Sequence, residues 1–201
     1  MIQCKNKIVL VMLSLLLVLS GLSVTAQADD IEDYLIGEIA HLLPVKGDVN
    51  VYDFSVVAAD STGDRRVEKL ATHQGKVLLL TFWAEHCSLC RLHLKQLAAI
   101  QQELGIEKLE IIAINQDRFP HARVKKTLER WGIRNLAAYQ DYHNDVATRL
   151  KDNPAIRFFG TNPKTLVIGP DGQVRAIANT RKDWSTPEAQ AFFEALDKRR
   201  L

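Results

Sequence analysis

Thr81-Phe82-Trp83-Ala84-Glu85-His86-Cys87-Ser88-Leu89-Cys90 is the stretch on which the reading of this chain turns. Ahead of it, Lys76-Val77-Leu78-Leu79-Leu80 reads as the front of a fully buried strand. Behind it, Cys90, Leu94, Leu97, Gln101 and Leu104 recur at helical spacing, with Arg91, Lys95, Gln96 and Glu103 off that line. The two cysteines therefore fall where a buried strand turns into an amphipathic helix. A Cys-x-x-Cys pair at a helix start can close a disulfide with little backbone movement. The free N–H groups and dipole of that helix favour a thiolate on the first cysteine. A redox dithiol is the expectation, with Cys87 exposed at the helix start as nucleophile. Cys90, one turn inside on the apolar stripe, is the shielded resolving thiol. Arg91 and Lys95 add positive potential on that side.

The cysteine count supports this reading. Cys4 lies in a leader: Lys5 and Lys7, an apolar stretch from Ile8 to Val24, then Ala26-Gln27-Ala28 before Asp29-Asp30. That is the anatomy of a cleaved signal peptide over residues 1–28, with a retained membrane anchor as the alternative. The mature chain then keeps Cys87 and Cys90 alone, too few for a disulfide scaffold. A zinc site would need a second ligand pair at defined spacing. Loss of Lys5 and Lys7 takes 26 basic residues to 24, against 24 acidic ones. The near-neutral balance gives no argument for nucleic acid, and no cofactor or metal is expected. A soluble monomer is the default.

Outward from the motif, Leu109 to Asn115 reads as a second buried strand, which makes a parallel βαβ unit. Phe119 to Trp131 is a helix closed by Gly132, Leu136–Tyr139 a short strand, and Asn144–Leu150 a short helix. Lys164 to Ile168 is another apolar strand. Gly169-Pro170-Asp171-Gly172 turns it into a return strand, Gln173 to Ala178, and Thr186 to Arg199 closes the chain as a helix. Before the motif, Asp53–Ala58 and Arg66–Lys69 form a hairpin around Asp60-Ser61-Thr62-Gly63-Asp64. Ile31 to Leu43 reads as an amphipathic helix stopped by Pro44. His41, His73, His121 and His143 have no partners at ligand spacing and read as ordinary surface or boundary histidines.

Phe82-Trp83-Ala84-x-x-Cys87-x-x-Cys90-Arg91 after an apolar strand resembles the thioredoxin superfamily, in particular its TlpA/ResA/CcmG-like extracytoplasmic thiol–disulfide oxidoreductases. The resemblance implies an α/β, thioredoxin-like fold, a central mixed sheet flanked by helices with an N-terminal β-hairpin extension. Beyond the leader (1–28) and a helical lead-in (29–48), it covers roughly Val51 to Leu196, most of a thioredoxin-like domain at 49–201. It also implies a periplasmic or otherwise extracytoplasmic enzyme acting on disulfides or dithiols of other proteins. Such proteins mostly reduce, often in cytochrome c or copper-centre assembly, with electrons from a membrane donor. Pro163 matches the family's cis-proline, with the Asn162 backbone beside the cysteines, and Trp83 belongs to the motif's supporting surroundings.

The departures are specific. His86 stands where the family usually has Trp, and Thr81 where thioredoxins bury an aspartate. Cys90-Arg91-Leu92-His93-Leu94-Lys95 replaces the Cys-Arg-x-Glu-x-Pro pattern of the TlpA/ResA-like proteins. Both acids credited with proton handling are therefore missing, and the acid left nearby, Glu85, is expected at the surface. His86 or His93 could substitute, taking a thiol proton or stabilising the thiolate. Two other functions stay open: a Cu(I) metallochaperone using Cys87, Cys90 and His86 or His93, and a thiol peroxidase, for which the expected proline ahead of the cysteine is missing.

Overall fold

The structure, a computed structural model, describes residues 30–59 and 65–198. The leader, the Asp60–Asp64 turn and Arg199 lie outside the described residues. The strands are β1 (Leu43–Pro44), β2 (Ser55–Ala59), β3 (Arg65–Lys69), β4 (Val77–Trp83), β5 (Leu109–Asn115), β6 (Tyr139–Gln140), β7 (Lys164–Ile168) and β8 (Val174–Ala178). The helices are α1 (Ser88–Leu104), α2 (His121–Arg130), α3 (Asp145–Asp152) and α4 (Pro187–Asp197).

All eight strands form one mixed sheet in the order β1-β8-β7-β4-β5-β6-β2-β3. β4 is its axis, parallel to β5 from Val77↔Leu109 to Trp83↔Asn115 and antiparallel to β7 with Thr81 opposite Thr165. All of β4 is buried because both sheet faces are covered. Val77, Leu79 and Trp83 face a core shared with Leu94 and Leu97 of α1 and Phe192 of α4. Leu78, Leu80 and Phe82 face the other side, against Val56, Leu150 and Ile156. The period of two puts Thr81 on the α1 side.

The expected βαβ unit, the β7–β8 hairpin and the N-terminal hairpin are all present, the last joined to the sheet through Val57↔Gln140. Helix α1 buries Cys90, Leu94, Leu97 and Gln101 as its periodicity requires, and also His93. Two expectations need correction. Residues 31–43 are no α-helix: they form 3-10 turns at Ile31–Tyr34 and Gly37–Ile39, then enter β1. Gly37 adopts φ +56°, a left-handed conformation that an α-helix cannot continue through. The short strand expected at Leu136–Tyr139 is Tyr139–Gln140, where the chain first reaches pairing distance of both β5 and β2.

Candidate active site

Cys87 and Cys90 are joined as a disulfide with Cα atoms 5.2 Å apart. Cys87 is the N-cap of α1: its backbone is extended, and its Sγ accepts the Cys90 N–H at 3.1 Å. The sulfur thus takes the place a serine or aspartate oxygen holds at other helix starts, where one of the unpaired N–H groups must find an acceptor. On its other side Sγ lies 3.3 Å from the Asn162 carbonyl oxygen. Cys90 is fully buried in the core cluster that Cys87 only borders. One sulfur is reachable from solvent and the other is shielded.

The Asn162–Pro163 peptide bond is cis. Asn162 is held by its side-chain amide, which donates to Gln116 Oε1 at 2.9 Å, just beyond β5. Trp83 is fully buried, its ring 5.2 Å from that of Trp131, and belongs to the same core cluster as Cys90.

The histidines separate sharply. His86 is at the surface, its side chain 86% exposed, with Nδ1 3.7 Å from Asp117 Oδ1. Asp117 is itself fixed, its Oδ2 accepting the Glu85 N–H and the Asn115 side-chain amide, each at 2.8 Å. His93 is fully buried. Its Nε2 meets Thr165 Oγ1 at 3.0 Å, and Thr165 donates to Thr81 Oγ1 at 3.0 Å. A histidine–threonine–threonine chain therefore links α1, one turn beyond Cys90, to β7 and β4. Burial, with Arg181 adding to it, drives the His93 imidazole down to about 3, so it is uncharged at neutral pH.

Glu85, expected at the surface, is half-buried and engaged by three neighbours. Its carboxylate takes hydrogen bonds from Arg130 at 2.7 Å, Arg123 at 2.8 Å and Thr127 at 3.1 Å, and the Arg130 bond leads in holding its pKa below the usual range. His73 and His121, expected at the surface or its boundary, are buried. His73 bridges Glu68 and Glu110 at 3.1 Å each, and His121 Nε2 lies 2.8 Å from the Ala138 carbonyl.

Gln116, Asp117 and Thr165 were not singled out from the sequence. Gln116 and Asp117 follow the carboxyl end of β5, where open α/β sheets gather their functional groups. Thr165 could have been found by pairing β7 against β4, which sets it opposite Thr81.

Residues 50–177, more than half of the chain, match the AhpC/TSA family. The chain belongs to that family. Solved structures agree on the fold. A Chlorobium tepidum protein assigned as the thiol:disulfide interchange protein DsbE is 18% identical, with a TM-score of 0.58 over 76% of this chain and 99% of that one. A secreted Mycobacterium tuberculosis disulfide oxidoreductase homologous to E. coli DsbE is 16% identical, TM-score 0.51, over 72% and 97%. An Aquifex aeolicus protein assigned to electron transfer is 20% identical, TM-score 0.54, over 77% and 96%. No curated protein matches the chain. The thioredoxin-like architecture expected from the motif is thus the architecture of this AhpC/TSA member. Among the described residues no helix is long and apolar enough to cross a membrane.

Proposed function

We propose that the protein is an exported thiol–disulfide oxidoreductase that reduces or exchanges disulfides of other extracytoplasmic proteins. The observation that carries this is the asymmetry of the pair: Cys87 Sγ at the N-cap of α1, accepting an N–H and open to a groove, with Cys90 buried one turn behind.

In the reductive direction, the Cys87 thiolate attacks one sulfur of a partner disulfide. The partner's S–S bond breaks, its other sulfur leaves as a thiolate and takes a proton, and a Cys87–partner mixed disulfide remains. Cys90 then loses its proton and attacks Cys87 Sγ, releasing the second partner thiol. The partner gains two electrons and Cys87–Cys90 is left oxidised. The Cys90 N–H stabilises the Cys87 thiolate that makes the first attack. The Asn162 segment lies alongside, in position for an extended partner segment. His93, neutral and tied to Thr165, offers Cys90 a polar but uncharged neighbour. His86 lies outside, where a protonated imidazole would favour the Cys87 thiolate.

Export rests on the leader's composition, and the M. tuberculosis neighbour is itself secreted. A membrane donor would restore the dithiol, and cytochrome c or metal-centre maturation is the setting the motif's resemblance suggests.

The deciding experiment pairs a Cys90→Ser trap with a redox titration. The variant is expected to accumulate mixed disulfides through Cys87, and Cys87→Ser to accumulate none. A potential near the thioredoxin end, about −270 mV, identifies a reductase; one near about −120 mV identifies an oxidant. Absence of a reversible couple overturns the reading and directs attention to Cu(I) titration. Thiol-dependent peroxide consumption would instead identify a peroxidase.

A further inference from the structure

Two grooves meet at Cys87, and their charge is one-sided. The first, about 530 Å³, runs past Gln116 and Asn162 to Lys164, and continues into a second hollow of about 360 Å³ bounded by Lys151 and Phe159. The other, about 500 Å³, runs from Cys87 along Arg91 and Lys95. Among the described residues none of these four cations has a carboxylate partner. The acid in the second groove, Glu85, is committed to Arg123 and Arg130.

Lys164 is the most telling. It is half-buried, its ammonium donates to the Gly160 carbonyl at 2.9 Å, and it lies 6.0 Å from the centre of the Phe158 ring. Burial without a counter-charge pushes its pKa down. A carboxylate brought into the groove would restore what that lysine lost on leaving water. The rim is apolar as well: Leu89 is 47%, Leu92 56% and Phe159 63% exposed. Exposed apolar side chains beside a reactive sulfur suit a polypeptide better than a small disulfide.

Building on the disulfide-exchange function above, we propose that the preferred substrate is an acidic cysteine-bearing segment of another protein. The segment lies extended across Cys87, with carboxylates towards Lys164 and Lys151 in one groove and Arg91 and Lys95 in the other. The chemistry is the two-step exchange already written. The grooves add only the selection of which disulfide reaches Cys87.

The test uses the reduced protein and four oxidised substrates. Three are peptides of identical length with one internal disulfide flanked by Asp, Asn or Lys, and the fourth is hydroxyethyl disulfide. The Asp peptide is expected to react roughly tenfold faster than the Lys peptide, with the gap shrinking as salt is raised. In K164E combined with R91E the order should reverse, which a merely damaged variant would not produce. Equal wild-type rates for all three peptides overturn the proposal and leave the oxidoreductase standing. Reaction with none of the four substrates overturns the oxidoreductase reading itself.

Discussion

His93 sits neutral in the core, yet the same imidazole in an unfolded chain titrates near 6.5. Its folded pKa is lowered to about 3, so between those limits the unfolded state binds the extra proton. Stability must then fall as pH drops below about 6.5, with a slope of up to ~1.4 kcal/mol per pH unit from this residue. Urea unfolding at pH 7 and pH 5 should show that loss in the wild type and a flatter profile in His93→Gln. Equal slopes would mean that the imidazole is protonated in the fold. On the outer side, His86 makes a smaller and opposite kind of prediction. At the helix start Cys87 should titrate below the ordinary thiol value of about 8.5. His86→Ala should raise it, through loss of the imidazole beside the thiolate. Thiolate absorbance against pH reads this directly, and an unchanged titration removes His86 from the chemistry.

At the scale of elements, Gln101 shows what a hydrophobic stripe conceals. It is the polar member of the buried α1 line, and it is fully occupied. Its Oε1 accepts the Ile111 N–H at 2.7 Å, and its Nε2 donates to the carbonyls of Leu109 at 2.8 Å and Gly105 at 3.1 Å. One side chain thus joins the end of α1 to the start of β5. Gln101→Leu would suit the stripe by polarity but leave those β5 groups unpaired. A loss of roughly 2–3 kcal/mol in denaturant unfolding is expected, more than an apolar swap on the same face would cost. The strand, helix and hairpin around the cysteines were legible because each has its own local signal: a continuous apolar run in β4, a helical period in α1, a Gly-Pro-Asp-Gly turn before β8. Gln101's partners, the His93–Thr165–Thr81 chain and Asp117's place beside His86 were not. They depend on which residues of distant strands come to lie opposite one another. The two-residue β6 and the 3-10 turns carry too few residues for any period to register.

For the molecule as a whole, the open question is whether residues 30–48 are a lead-in or part of the folded body. Their packing points to the latter. Ile39 is fully buried and Leu42 nearly so, both in the cluster that holds Cys90, Trp83 and Phe192. The Tyr34 ring lies 6.4 Å from that of Phe192, and the Glu38 N–H donates to Glu188 at 3.1 Å. Leu43 and Pro44 pair with β8, giving the sheet its last strand on that side. A detached lead-in would tolerate truncation of Ile39 with a change within about 0.5 kcal/mol. As a core residue, Ile39→Ala should cost about 2–4 kcal/mol through lost apolar burial and the cavity left behind. The loss should also appear in a single unfolding transition, followed by tryptophan fluorescence, because Trp83 and Trp184 share that cluster. Two separated transitions would instead make the N-terminal segment an independent unit. Cys87 lies at the border of the same cluster, so its disulfide exchange can be compared in the same samples. Native Ile39→Ala protein should keep its exchange rate well below the unfolding midpoint, because the cavity would open beside α4 while Cys87 is held by the start of α1 and the Asn162 segment.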